Sequence, residues 1–129
     1  MEENEPKYRL GDLQLRIMKV LWRAAPVSVA KVQKELGGVP LAYTTVATML
    51  RKMEARGLVR HHERGRKFLY EPAISAEEVT RSMADDLVER VFEGSLSATV
   101  SHLLETRDVS SKELARLEHM IRQRKRQRR

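Results

Sequence analysis

The chain has 129 residues, 41% hydrophobic and 33% charged, with a net charge of +7 and no cysteine. That length suits one domain, or one small domain with an appendage, and the missing cysteine excludes disulfides, thiolate metal sites and cysteine nucleophiles. No stretch reaches the roughly 18 apolar residues of a membrane span, and the acidic opening MEENEPKYRL lacks the apolar run of a signal peptide; a cytoplasmic protein with no membrane association is expected.

Taken in chain order, GDLQLRIMKVLWRAAP reads as a first helix. Asp12 is its expected cap, Leu13, Ile17, Val20, Leu21 and Ala24 form its stripe, and Pro26 closes it. Ser28 caps a shorter second helix striped by Val29, Val32 and Leu36 and stopped by Gly37 and Gly38. A third helix starts near Ala42, with Val46, Met49, Leu50 and Met53 at i, i+3, i+4 and i+7, and ends at Gly57. After it, LVRHHE and KFLYEP flank the turn ERGR and predict a hairpin that ends at Pro72. From Ser75, Val79, Met83, Leu87 and Val91 stripe a fourth helix, which Gly94 breaks. Leu96, Val100, Leu103 and Leu104 stripe a fifth, beginning at Ser95. Ser110 and Glu113 predict a capping box for a sixth, striped by Leu114, Leu117 and Ile121. The closing RQRKRQRR is a charge run, expected to be a frayed, solvated end.

Charge follows the same divisions. Residues 7–72 carry 14 basic and 5 acidic side chains, residues 73–121 carry 5 and 10, and residues 122–129 add six basic ones. A basic first unit points to a polyanionic partner, while the acidic second unit points to something else. Three short helices followed by a hairpin, within a strongly basic segment, is the order of a winged helix-turn-helix. The expected fold is therefore mainly α: a winged helix-turn-helix over 7–72, a helical dimerisation region over 73–121 and a basic disordered tail over 122–129.

In that reading the third helix enters the major groove of double-stranded DNA. Thr44, Thr48 and Arg51 point away from its apolar stripe, where a helix selected for stability alone would carry Glu, Lys or Ala. Threonine is short enough to let the backbone sit deep, its methyl suits thymine and its hydroxyl a phosphate or a base edge; Arg51 can reach a guanine edge or a phosphate. Around Gly65, Arg64, Arg66 and Lys67 project from a tight turn, as phosphate or minor-groove contacts would. His61, His62, His102 and His119 show no ligand spacing, and no nucleophile elbow is present, so neither a metal site, a cofactor nor an enzyme is expected. The fifty or so residues of the second unit are too few to close a core alone, which favours a homodimer presenting two reading helices to two half-sites.

Leu13 to Trp22, the block YTTVATMLRKMEARGLV, the wing RGRKFLYEP and the segment VFEGSLSATVSHLL together resemble the penicillinase-repressor family, from about residue 8 to residue 121. The resemblance implies a dimeric winged-helix repressor on a palindromic operator, often controlling β-lactamase and sensor genes, with release by a sensor-linked protease. It implies operator-reading roles for Thr45 and Thr48, a basic contact at Lys52 and a basic wing at Arg64 and Arg66. The cleavage region of relatives, Asn followed by Phe, falls on His102 and Leu103 here. Relatives often begin the third helix with a capping serine, where this chain has Ala42, and the cysteine-rich tail of copper-responsive relatives is missing. Two other readings fit the same residues: a winged-helix module that binds an acidic protein, and a DNA-binding activator or architectural protein.

Overall fold

The computed structural model describes residues 8–128. Its elements run α1 (Asp12–Ala24), β1 (Val27–Ser28), α2 (Val29–Glu35), α3 (Tyr43–Ala55), β2 (Val59–Arg64), β3 (Lys67–Pro72), α4 (Ala76–Val91), α5 (Leu96–Thr106) and α6 (Ser111–Gln127). The chain forms two compact units that divide inside α4, the first ending at Asp86 and the second beginning at Leu87. The division expected at Pro72 comes too early, because Ile74 and Val79 are still buried in the first unit's core. Met83, also expected to face a second copy, is partly buried and packs against that core.

The first unit is built around Ile17, Met18, Val20 and Leu21 of α1, Val29 and Val32 of α2, and Val46, Leu50 and Met53 of α3. Leu58, Val59 and Tyr70 close the core from the sheet side. Met18 is fully buried although it lies outside the expected α1 stripe, and Leu13 is only half-buried. The sheet is antiparallel in the order β1-β3-β2. Val27 pairs with Tyr70, and the β2–β3 ladder runs from Val59 opposite Pro72 to Arg64 opposite Lys67. That register leaves Gly65 and Arg66 as a two-residue turn, with Gly65 at φ +67°, a conformation that L side chains seldom adopt. The indole of Trp22 donates to the carbonyl of Ile74 at 2.9 Å, tying α1 to the segment after the sheet.

Caps set most of the boundaries. Gly11, not Asp12, occupies the cap position of α1; its N–H donates to the Gln14 side chain at 3.0 Å, and Asp12 becomes the first helical residue. Ser28 serves both β1 and α2, accepting from the Lys31 N–H at 3.2 Å. Replacing it with Ala should cost about 1 kcal/mol of stability, since the cap acceptor is removed. Urea denaturation should show a lower midpoint at constant slope; an unchanged midpoint would mean that water replaces the hydroxyl at no cost. Lys31 of α2 and Arg23 of α1 each reach Glu35 at 3.4 Å, and these hydrogen bonds hold its carboxyl below the usual range. The resulting support is present above the ordinary carboxylate pKa and is lost as pH falls.

The second unit contains the end of α4, then α5 and α6. Ser95 caps α5 by accepting from the Ala98 N–H at 3.0 Å, and Ser110 caps α6 by accepting from the Glu113 N–H at 3.1 Å. Glu113 itself pairs with Arg116 at 3.6 Å. Burial here is slight: α5 buries only Thr99, and α6 buries no residue. Leu87, Val91, Leu96, Val100, Leu103, Leu104, Leu114 and Ile121 are all between 38% and 67% exposed, while Leu117 is half-buried. The expected disorder of 122–129 is not observed over its described part. α6 continues through Gln127 with Arg128 as its cap, because Arg, Lys and Gln are good helix formers that need no apolar stripe.

Candidate nucleic-acid interface

The core fixes which way α3 faces. With Val46, Leu50 and Met53 turned inward, the helix period leaves Thr44, Thr45, Thr48, Arg51 and Lys52 exposed. Arg51 donates to the Thr48 hydroxyl at 3.4 Å, a long hydrogen bond that keeps the guanidinium along the helix surface. The cap position is Ala42, which offers no side-chain acceptor, and Thr44 does not substitute for it. The first N–H groups of α3 are therefore open to an anion at the positive end of the helix dipole.

On the hairpin, Arg64, Arg66 and Lys67 are exposed beside the turn. Among the described residues, none of Arg51, Lys52, Arg64, Arg66 and Lys67 has a carboxylate within ion-pair distance, unlike Arg60, which pairs with Glu71 at 3.4 Å. Arg56, at the end of α3, is also committed elsewhere, donating to the carbonyl of Arg9 at 2.8 Å and to Gln14 at 3.1 Å. The cations of the helix face and the wing are thus left available to a partner.

A cleft of about 650 Å³ lies between the start of α2, one flank of α3 and the hairpin. Arg51, Arg66 and Lys67 line it, together with Tyr43, Phe68 and Tyr70. Thr44, Thr45, Thr48, Lys52 and Arg64 lie outside it. Across the cleft, His61 of β2 reaches Glu54 of α3, its Nδ1 donating at 2.7 Å to one carboxylate oxygen and lying 2.8 Å from the other. The His61 ring also packs on Phe68 and Tyr70, with centroids 4.6 and 5.4 Å away. Burial first, and the Glu54 carboxylate second, push the Tyr70 phenol up, so it remains a neutral hydroxyl. Glu54 and His61 are therefore positioning residues that fix the hairpin against α3. Sequence reasoning missed them because a helix-to-strand contact leaves no periodic signal. His62, on the other face of β2, lies 4.0 Å from Glu71.

The remaining candidates fall in the second unit. Leu87 and Val91 are on α4, Leu96, Val100, Leu103 and Leu104 on α5, and Leu114, Leu117 and Ile121 on α6. His102 and Leu103 lie inside α5, and the His102 ring stands 5.6 Å from that of Phe92. No helix among the described residues is long and apolar enough to cross a membrane.

The sequence profile of the penicillinase repressor family matches residues 10–123. The penicillinase repressor of Bacillus licheniformis is 28% identical over 118 residues, covering 91% of this chain and 92% of its own. The transcriptional regulator BlaI of Mycobacterium tuberculosis is 35% identical over 100 residues, 75% of this chain and 72% of that one. Among solved structures, the monomeric form of B. licheniformis BlaI in complex with the blaP half-operator is similar at 31% identity, over 57% of this chain and 92% of that one, with a TM-score of 0.49. A MarR family protein from Bacillus stearothermophilus shares the fold over 98% of this chain and 80% of its own, at 17% identity and a TM-score of 0.51.

Proposed function

The chain belongs to the penicillinase repressor family, and on that premise we propose that it is a homodimeric transcriptional repressor that binds a palindromic DNA operator. The observation that carries the reading is the set of exposed cations without carboxylate partners on α3 and the hairpin, beside three exposed threonines. Thr44, Thr45, Thr48 and Arg51 read base edges in the major groove, Lys52 meets the backbone beside them, and Arg64, Arg66 and Lys67 grip phosphates. The uncapped start of α3 offers N–H groups to a further phosphate.

Dimerisation falls to the second unit, whose apolar side chains find little cover within their own chain. A two-fold axis then sets two copies of α3 on half-sites about 34–36 Å apart, one turn of the double helix. The genes under control are read as β-lactamase or related stress genes, and the place of action as the cytoplasm, where an operator is met. Induction by a sensor-linked protease near His102 and Leu103 would need the middle of α5 to open first, since a protease takes its substrate extended.

The test is recovery of genomic fragments by the purified protein at about 150 mM salt, where the Debye length of roughly 8 Å suppresses weak attraction between charges. Enrichment of an inverted repeat upstream of particular genes is the expected outcome. Uniform recovery regardless of sequence would overturn operator reading and turn the search toward an acidic protein partner.

A further inference from the structure

The last two turns of α6 carry a charge pattern that becomes visible only once the segment is known to be helical. At about 100° per residue, Arg122 and Arg126 fall on one edge of the helix, and Arg124 and Arg128 fall on another about 200° away. Gln123 and Gln127 lie between the two edges on one side, and Lys125 lies between them on the other, where it would face away from a surface met by the glutamines. The apolar stripe of α6 stops at Ile121, and no acid follows Glu118, so these turns extend past the part a second copy has reason to cover. The family's shared segment ends at residue 123, leaving most of this pattern outside it.

Stabilising the helix does not account for the arrangement. Cations in the final turn complement the helix dipole, but Arg122 is too far from the end to do so, and like charges at i, i+4 oppose helix formation. Arg122–Arg126 and Arg124–Arg128 are both such pairs. A flat anionic surface would neutralise only one edge. A DNA groove has phosphates along both walls, and the major groove, about 12 Å wide, admits a helix of about 10–12 Å diameter.

We propose that the C-terminal turns of α6 form a second DNA-binding element that lies in a groove of the duplex. The two arginine edges engage opposite phosphate walls, with Gln123 and Gln127 facing the groove floor. The proposal rests on the DNA-binding reading above and adds an element distinct from α3 and the hairpin.

The test compares Arg122→Gln/Arg126→Gln with Arg124→Gln/Arg128→Gln and with their combination, each in the full dimeric chain. Glutamine keeps helix propensity, and circular dichroism checks that it has. Affinity for a 40-base-pair duplex of random sequence is followed against salt. Each pair should lower the slope of log K on log salt by about 1.8 per protomer, or about 3.6 per dimer, and the two reductions should add. A reduction from one pair alone would mean a flat surface and would overturn the groove. If Arg64→Gln lowers the slope while neither pair does, the α6 element falls and the wing reading stands. A wild-type affinity independent of salt would overturn both. Weakened binding to phosphatidylglycerol vesicles with an unchanged duplex slope would overturn the proposal in favour of a membrane.

Discussion

Leu104→Glu should convert the dimer to monomers and cut operator affinity by about 10²–10⁴-fold, the gain that linking two binding modules supplies. Leu104 is 40% exposed on α5, in one stripe with Leu96, Val100 and Leu103, and α6 buries no residue of its own. A 17-residue helix that buries no residue fully gains little from packing within its own chain, which is the reason for expecting a partner surface here. A carboxylate in the middle of that surface must either be desolvated without a counter-charge or prevent closure. Glutamate forms helix well, so α5 itself should persist. Sedimentation would read the mass and a titration with the recovered operator the affinity. Dimers of unchanged stability would place the interface away from α5.

Arg51→Ala should reduce the preference for operator over scrambled duplex by about 1–3 kcal/mol per half-site, and therefore by about 2–6 kcal/mol on a palindrome read twice. The guanidinium is exposed, has no carboxylate partner among the described residues, and holds only a 3.4 Å hydrogen bond to Thr48, so little in the folded chain opposes its reorientation toward a base. Arg64→Ala provides the contrast. It should weaken every sequence alike and reduce the salt slope by about 0.9 for each phosphate that Arg64 neutralises. Equal weakening on operator and scrambled duplex from Arg51→Ala would assign Arg51 to the DNA backbone and leave base reading to the threonines.

What the sequence revealed depended on periodicity. Val46, Leu50 and Met53 define α3 by their spacing, and the same spacing identifies the exposed threonines as a surface. Ser28, Ser95 and Ser110 are all observed as caps because a hydroxyl ahead of a stripe accepts from an N–H of the first turn that has no partner inside the helix. Features without a period were missed. β1 has only two residues and exists because Val27 and Ser28 pair with Tyr70 and Leu69 on a strand more than forty positions away. Met83 continues the stripe of Val79 and Leu87, yet packs with the first core, since a stripe gives a face and not the partner on it. In α6 the charge run concealed helix-forming residues. Within the candidate site, the helix face and the wing were legible from residue type and order. The link between Glu54 and His61 was not, because it depends on where a strand passes a helix.

That link also bears on the thermodynamics of recognition. A hairpin that moved freely would lose conformational freedom on meeting DNA, and its cations would contribute less net affinity for the same phosphates. With His61 held by Glu54 and packed at a tilt on Phe68 and Tyr70, the hairpin is already tied to α3 in the free protein. Its encounter with a duplex is then governed mainly by counterion release and long-range attraction, with little reordering of the polypeptide. Association should be fast and dependent on ionic strength, and sequence discrimination should be expressed chiefly in the lifetime of the complex.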